Sequence, residues 1–330
     1  MTELHRKYRG WVPVIVILAI LCIIPFHMRA YHVEIAIIYF MSVILAASYR
    51  LVTTTGDWGF AHIIMQGVGA YATALLAKHA GIPFIVMVPL AGFVTALVGA
   101  IIMVPMLRTK GFAFFIASFA FGEFIRMLWM KVKHPFGGTG GITGIPSPEL
   151  FGLKLASSVN YYFASMAVMV IAVFIIWRLD RSRIGNAWKA IHTDDSLAEC
   201  MGINVARYRT LAFVIGSFFA GTAGALLAYR MGSVDPHNFE ITQMIYLVIW
   251  VVIGGAATFW GPLIGVTLLT VAFEWSRSML EWRPMLFGGL LILSLIFMPG
   301  GIESLLPGLR RPPGEHYARF RKWLTTVKPG

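Results

Sequence analysis

Ile184-Gly-Asn-Ala-Trp-Lys-Ala-Ile-His-Thr-Asp-Asp-Ser-Leu-Ala-Glu-Cys-Met-Gly-Ile-Asn204 is the longest polar interruption in a very apolar sequence. Arg178, Arg181 and Arg183 precede it, and Arg207 and Arg209 follow it. The pattern predicts two short helices. Thr193 is placed to N-cap the second, Asp194 and Asp195 in its first turn suit the positive end of a helix dipole, and Gly202 is placed to end it. Trp188, Ile191, Leu197, Met201 and Ile203 give this polar segment apolar teeth. A solvated loop between membrane helices would also be polar, but such loops seldom combine a cap, a stop and a large aromatic. The stretch therefore reads as a docking element for a cytoplasmic partner.

What surrounds it is membrane. Of 330 residues, 58% are hydrophobic and 13% charged, with a mean hydropathy of +0.75. Soluble domains carry roughly a quarter charged residues. Apolar segments fall at 11–27, 33–49, 60–77, 83–107, 112–130, 161–177, 208–229, 241–257, 262–280 and 284–299. Such runs mark an all-α, polytopic membrane protein of about ten transmembrane helices, with eight or nine open if the short segments near 50–60 and 254–262 are re-entrant. One transmembrane domain is expected over 1–309, with a basic cytoplasmic tail at 310–330. That tail, with Tyr317, Phe320 and Trp323 among its charges, suits either a helix on the lipid surface or an unstructured end.

Charge sets the orientation. The basic N-terminus, Arg108 and Lys110, the 178–209 stretch and the tail all fall on one side of a ten-span count, placing both termini in the cytoplasm. Lys131 and Lys133 fall on the other side. The net charge of +12 is spent at the ends of apolar segments and does not point to nucleic acid. Cys22 and Cys200 should lie at different levels, so no disulfide is expected. The first apolar run follows a signal-like basic start but reads as a retained span, because no small-residue cleavage site follows Ile24.

Several polar residues sit at membrane depth, where they are costly unless a cavity or partner receives them. Asp57, His62 and Gln66 are the first group, and His62 and Gln66 share a helix face. They either hydrogen-bond between helices or line a path for solute. Glu123 and Arg126, three apart, can pair on one face. Pairing is one role for them and solute contact another. Glu274 lies close enough to a span end to snorkel. The Gly-rich run His134–Pro148 lacks the Gly-Lys-Ser/Thr ending of a phosphate loop and reads as a compact external loop. Ala212, Gly216, Ala220, Gly224 and Ala228, and likewise Gly92, Ala96 and Ala100, form small-residue stripes that allow close helix approach, within the subunit or against a second one. Gly254, Gly255, Gly261 and Pro262 break an apolar run, marking a re-entrant turn, a hinge or a tight cytoplasmic turn.

Other chemistry is missing. The sequence has no His-Glu-x-x-His, no paired Cys-x-x-Cys, no Gly-x-Ser-x-Gly and no Walker A motif, so neither a metal hydrolase nor an ATPase is indicated. The motifs that are present, taken in order, resemble the M-type permease subunit of high-affinity branched-chain amino acid importers, in the wider hydrophobic amino acid uptake family. The resemblance runs from about 35 to 305. It rests on Gly185, Ala187, Ala190-Ile191, Asp194-Asp195, Ala198, Met201-Gly-Ile-Asn204, Ala212-Phe213, Ala220-Gly221 and Ala223-Gly-Ala-Leu226. The Gly-Gly-x-x-Thr-x-x-Gly-Pro-x-x-Gly run from Gly254 to Gly265 adds to it, as do Gly56–Tyr71, Gly137–Pro146 and Ala120-Phe-Gly-Glu-Phe-Ile-Arg126. The chain departs from the family at Asp57-Trp58-Gly59-Phe60-Ala61-His62, at Met65, and at Asn186 and His192, which stand where Arg is common.

The resemblance implies that 184–204 is the coupling region. Gly185, Trp188, Ile191, Asp194, Asp195, Glu199, Met201 and Gly202 would then engage a cytoplasmic ATPase. It further implies a second related permease, two ATP-binding cassette ATPases that hold the ATP and Mg, an extracytoplasmic solute-binding protein, and no cofactor in this chain. The solutes would be branched-chain or related amino acids and small organic molecules. Asp57, His62, Gln66, Glu123 and Arg126 are the residues expected along the path. The rival readings are an ATP-independent secondary transporter or channel, and an integral membrane enzyme, for which no convergent catalytic set is present.

Overall fold

The computed structural model describes residues 29–150, 153–155 and 157–277, together with positions 21, 22 and 25 and scattered positions between 282 and 302. The expected spans at 11–27 and 284–299 and the basic tail lie almost wholly outside these residues. Ten α-helices are described. They are α1 (Ala30–Thr53), α2 (His62–Ala80), α3 (Phe84–Met106), α4 (Phe112–Lys131), α5 (Ser158–Asp180), α6 (Arg183–Thr193), α7 (Asp195–Cys200), α8 (Val205–Met231), α9 (Ile241–Gly254) and α10 (Gly261–Trp275). Four two-residue strands are found among them: β1 (Ile142–Thr143), β2 (Glu149–Leu150), β3 (Leu153–Lys154) and β4 (Ser233–Val234).

Six helical stretches are long and apolar enough to cross a bilayer: α1, α3, α4, α5, α8 and the stretch from Pro236 through α9. With α10 shorter and α2 less apolar, the expected count of about ten is not reached among the described residues. α2 has a physical reason to be less apolar. It is wedged between α8 and α3, so protein rather than lipid receives much of its surface.

α8 is the central post. At 27 residues it is about 40 Å long, and it packs against α1, α2 and α3. The stripe Ala212, Gly216, Ala220, Gly224 and Ala228 is buried within the subunit. A Cβ on Gly216 would lie 2.9 Å from Val52 of α1, and one on Gly224 would strike the backbone of Gln66 in α2. The second stripe is also internal at Gly92, which faces Phe218 and Thr222 of α8. Close backbone contact of this kind replaces the hydrophobic drive that lipid cannot supply.

α9 and α10 form an antiparallel pair of about 21 and 22 Å, joined by a turn at 255–260. Gly254 and Gly265 abut each other's backbone there. Arg50, near the end of α1, donates to the carbonyls of Ala256 at 3.2 Å and Ala257 at 3.4 Å. Gly254, Gly255, Gly261 and Pro262 therefore shape a turn between two antiparallel helices, one helical turn inside the end of α1.

Two ends are distinguished by their polar contacts. At one, Arg50, Asp57, Lys110, Asp180 and the α6–α7 segment gather. At the other, Arg230 pairs with Glu34 and Ser158, and Tyr31 donates to Glu274 at 2.7 Å. β1 lies antiparallel to β4 at this second end, Ile142 opposite Val234, so the Gly-rich loop is a compact cap over the chain that follows α8. Arg108 and Lys110 thus share an end with 178–209, and Lys131 and Lys133 do not.

Candidate functional site

The polar stretch folds as two helices, α6 and α7. Ser182 starts α6 by accepting from the Gly185 amide at 3.4 Å. Gly185 has no room for a side chain, because a Cβ would strike the backbone at Leu179 and Asp180. Asp194 is extended, with φ −162° and ψ 117°, which stops α6 and lets its carboxylate accept from the Leu197 amide at 3.0 Å. Asp194 therefore caps α7, in place of Thr193, whose hydroxyl donates back to Lys189 O at 3.0 Å within α6. Gly202, at φ +82°, ends α7 and donates to Glu199 O at 2.9 Å. Asn204 then caps α8 by accepting from the Arg207 amide, a role its position before an apolar run could have revealed.

The apolar teeth divide. Trp188 is fully buried, and its Nε1 donates to Tyr208 O at 2.8 Å, fastening α6 to α8. Ile191 joins Ala198 and Val205 in a small core under α7. Both side chains point inward, because packing on α8 decides which face of an 11-residue helix is covered. Leu197 and Met201 point outward, 62% and 76% exposed, with Glu199 and Asp194 beside them.

Two charge networks hold this segment to the helices. Asp180, at the end of α5, meets Arg50 at 3.0 Å and Lys189 of α6 at 3.1 Å. In the second, Arg209 of α8 lies between two carboxylates. Its Nε is 3.1 Å from Asp57 in an ion pair off hydrogen-bond alignment, and its Nη2 donates to Asp195 of α7 at 2.9 Å. Lys110 adds a contact of 3.3 Å to Asp195. Burial pushes the Asp57 carboxyl up to about 6, against the pull of Arg209.

The residues expected along a path separate into three places. Asp57 belongs to the network just described. His62 and Gln66 are buried between α1, α2 and α8. His62 Nε2 shares a 2.9 Å hydrogen bond with Ser48, and the backbone of Gln66 meets Gly224. Glu123 and Arg126 lie on α4, joined in a two-pronged pair with a shortest contact of 2.7 Å. Glu240, ahead of α9, approaches Arg126 at 3.7 Å and was not anticipated from sequence, where nothing links it to α4. This trio is only partly covered, and the apolar surface of α4, which carries two of its members, is mostly uncovered by the rest of the subunit. Among the described residues, no group of three His, Cys, Asp or Glu side chains could hold a metal ion, and Cys22 and Cys200 are free and exposed.

A family model described as a branched-chain amino acid transport system permease component matches residues 31–298. The high-affinity branched-chain amino acid transport system permease protein LivM of Salmonella typhimurium is 30% identical over 321 residues, covering 88% of this chain and 74% of the relative. LivM of Escherichia coli is 29% identical, covering 84% of this chain and 71% of the relative. LivH of Salmonella typhimurium, a permease protein of the same system, is 32% identical over 176 residues, or 50% of this chain and 57% of the relative. No solved structure matches.

Proposed function

Because this chain belongs to the branched-chain amino acid transport permease family, we propose that it is one permease subunit of an ATP-driven importer. Its solute is a branched-chain or related amino acid or a similar small organic molecule. The family's members are membrane permeases, not enzymes, and hydrolysis of ATP is assigned to partner ATPases. The observation that carries this reading is the outward exposure of Leu197 and Met201 on a segment clamped from within by Trp188 and Asp180. A solvated loop has no reason to be held this firmly while presenting two large apolar side chains.

In this reading the α6–α7 end faces the cytoplasm, with both termini, and α7 seats in a groove on the ATPase. An extracytoplasmic solute-binding protein meets the β1–β4 end. A second permease covers the face of α4, which is supported by relatives of two kinds, LivM and LivH, and by physics. Glu123, Arg126 and Glu240 would be costly against lipid, so protein or an aqueous path must face them. We assign the path to that face. The turn at Gly254, Gly255, Gly261 and Pro262 is assigned to hinge motion, because its position against Arg50 connects it to the same end as α6.

The test is co-purification of the complex. Leu197→Glu with Met201→Glu should abolish ATPase binding and uptake while the permease itself remains folded. A wild-type permease that takes up solute with no ATPase present would instead support a secondary transporter.

A further inference from the structure

We infer that Arg209, held between Asp57 and Asp195, is the joint through which movement of α7 reaches α4; the inference rests on the proposed function. α6 and α7 are attached to the membrane helices differently. α6 is fastened by the Trp188 hydrogen bond and by Asp180 with Arg50. α7 has six residues, and beyond the small core of Ile191, Ala198 and Val205 its ties are charged ones, through Asp195 to Arg209 and Lys110.

From Arg209 the contact chain continues. The guanidinium is 11% exposed and Asp57 only 3%, so water does little to loosen that pair. Asp57 stands in the loop 54–61 between α1 and α2. Gly56 of that loop, at φ +88°, faces the His192 ring of α6, which a Cβ placed there would meet at 3.5 Å. The Phe60 amide donates to Ser118 Oγ of α4 at 2.7 Å, and the Phe60 ring meets Phe115 with centroids 4.4 Å apart. Glu123 and Arg126 lie on that same helix. A push on the exposed face of α7 therefore has an unbroken route of short contacts to the charged pair on α4.

The charges suit transmission better than stability. Two acids and two bases balance in the network, yet a buried ion pair repays its desolvation only when fully matched. A single guanidinium spanning two elements fixes their separation in a way that apolar contacts, which can slide, do not.

The experiment uses the complete complex in proteoliposomes and reads ATPase co-purification, ATP hydrolysis and uptake separately. Asp57→Asn and Arg209→Gln should keep the ATPases bound and hydrolysing, while uptake per ATP falls at least tenfold; Asp195→Asn should do the same, because that carboxylate turns inward to Arg209 and Lys110 and not outward with Leu197 and Met201. Asp195→Glu, which preserves the charge at a partly exposed position that tolerates change, should restore uptake per ATP to within threefold of wild type. Unchanged uptake per ATP in intact Asp195→Asn and Asp57→Asn complexes overturns the joint. Loss of ATPase binding in those variants overturns it too, by making the residues docking contacts. ATPase-independent uptake by wild type is a different failure, which removes the importer reading itself and the joint with it.

Discussion

Trp188 Nε1 donates to the carbonyl of Tyr208 at 2.8 Å, so the indole joins α6 to the first turn of α8 from a fully buried position. Leu197, nine residues further on, has the opposite environment at 62% exposed. These two apolar residues of one polar stretch therefore do different work. Trp188→Ala should cost about 3–5 kcal/mol, from lost packing and the lost indole hydrogen bond, and should lower the melting temperature and yield of the permease. Leu197→Ala should change stability by less than about 0.5 kcal/mol and weaken ATPase binding instead. Equal melting temperatures for the two variants would contradict the division.

His62 gives a second contrast. Its Nε2 is bonded to Ser48, and its ring lies 5.4 Å from that of Tyr49, with Gly216 beside it. His62→Ala empties a ring from a close-packed crossing of three helices while Ser48 keeps its bond to Leu45 O, with a cost of about 1–3 kcal/mol from the lost packing and the lost hydrogen bond. The expected result is a less stable permease with unaltered solute preference, read by thermal melting and by competition uptake. A changed preference at unchanged stability would put His62 in the path.

The spans were legible because hydropathy alone locates them: the segments expected at 112–130 and 208–229 appear as Phe112–Lys131 and Val205–Met231. Even α2 was found, although its polar residues lower its hydropathy. The helix stop at Gly202 was legible because a left-handed residue there is chemically marked. The cap was not, since Thr193 and Asp194 are neighbours that can both cap a helix, and the extended backbone at Asp194 is what selects it. Nor could the pairing of Asp57 with Arg209 be read from a single sequence, because it depends on how α2 and α8 pack. Asp57 was therefore readable from sequence only as a polar residue near membrane depth, and its ion pair with Arg209 emerges from the packing.

Asp57 also carries a pH dependence. Its carboxyl is raised from 3.8 to about 6 by burial, with Arg209, Lys110 and Thr55 opposing the rise and Asp195 adding to it; the His192 ring flanks the same loop. The sign for stability follows from proton binding. Between about 6 and 3.8 the folded carboxyl binds a proton that the unfolded one does not, so this group favours the folded state increasingly as pH falls through about 6. The ion pair to Arg209 moves the other way and is lost over the same interval. Uptake per ATP should therefore fall between pH 7.5 and 5.5 without loss of folded permease, and Asp57→Asn should flatten that profile at its low end. A profile of the same shape in Asp57→Asn would assign the titration to another group.

Arg126 has two acidic neighbours, Glu123 at 2.7 Å and Glu240 at 3.7 Å, at the partly covered face of α4. Arg126→Gln removes the base that joins the two carboxylates, leaving Glu240, among the described residues, only its contact with His237 at 3.0 Å. Glu123→Gln leaves Arg126 a single acid at longer range. A solute path along this face predicts that both variants change the apparent KM or the maximal uptake rate by tenfold or more. ATPase binding and basal hydrolysis should stay within about twofold of wild type, since neither residue touches α6 or α7. The comparison with His62→Ala makes the measurement selective, because that change is expected to show in melting and these in uptake kinetics. Wild-type uptake kinetics in both charge variants would confine the pair to holding α4 against its neighbours and move the path elsewhere.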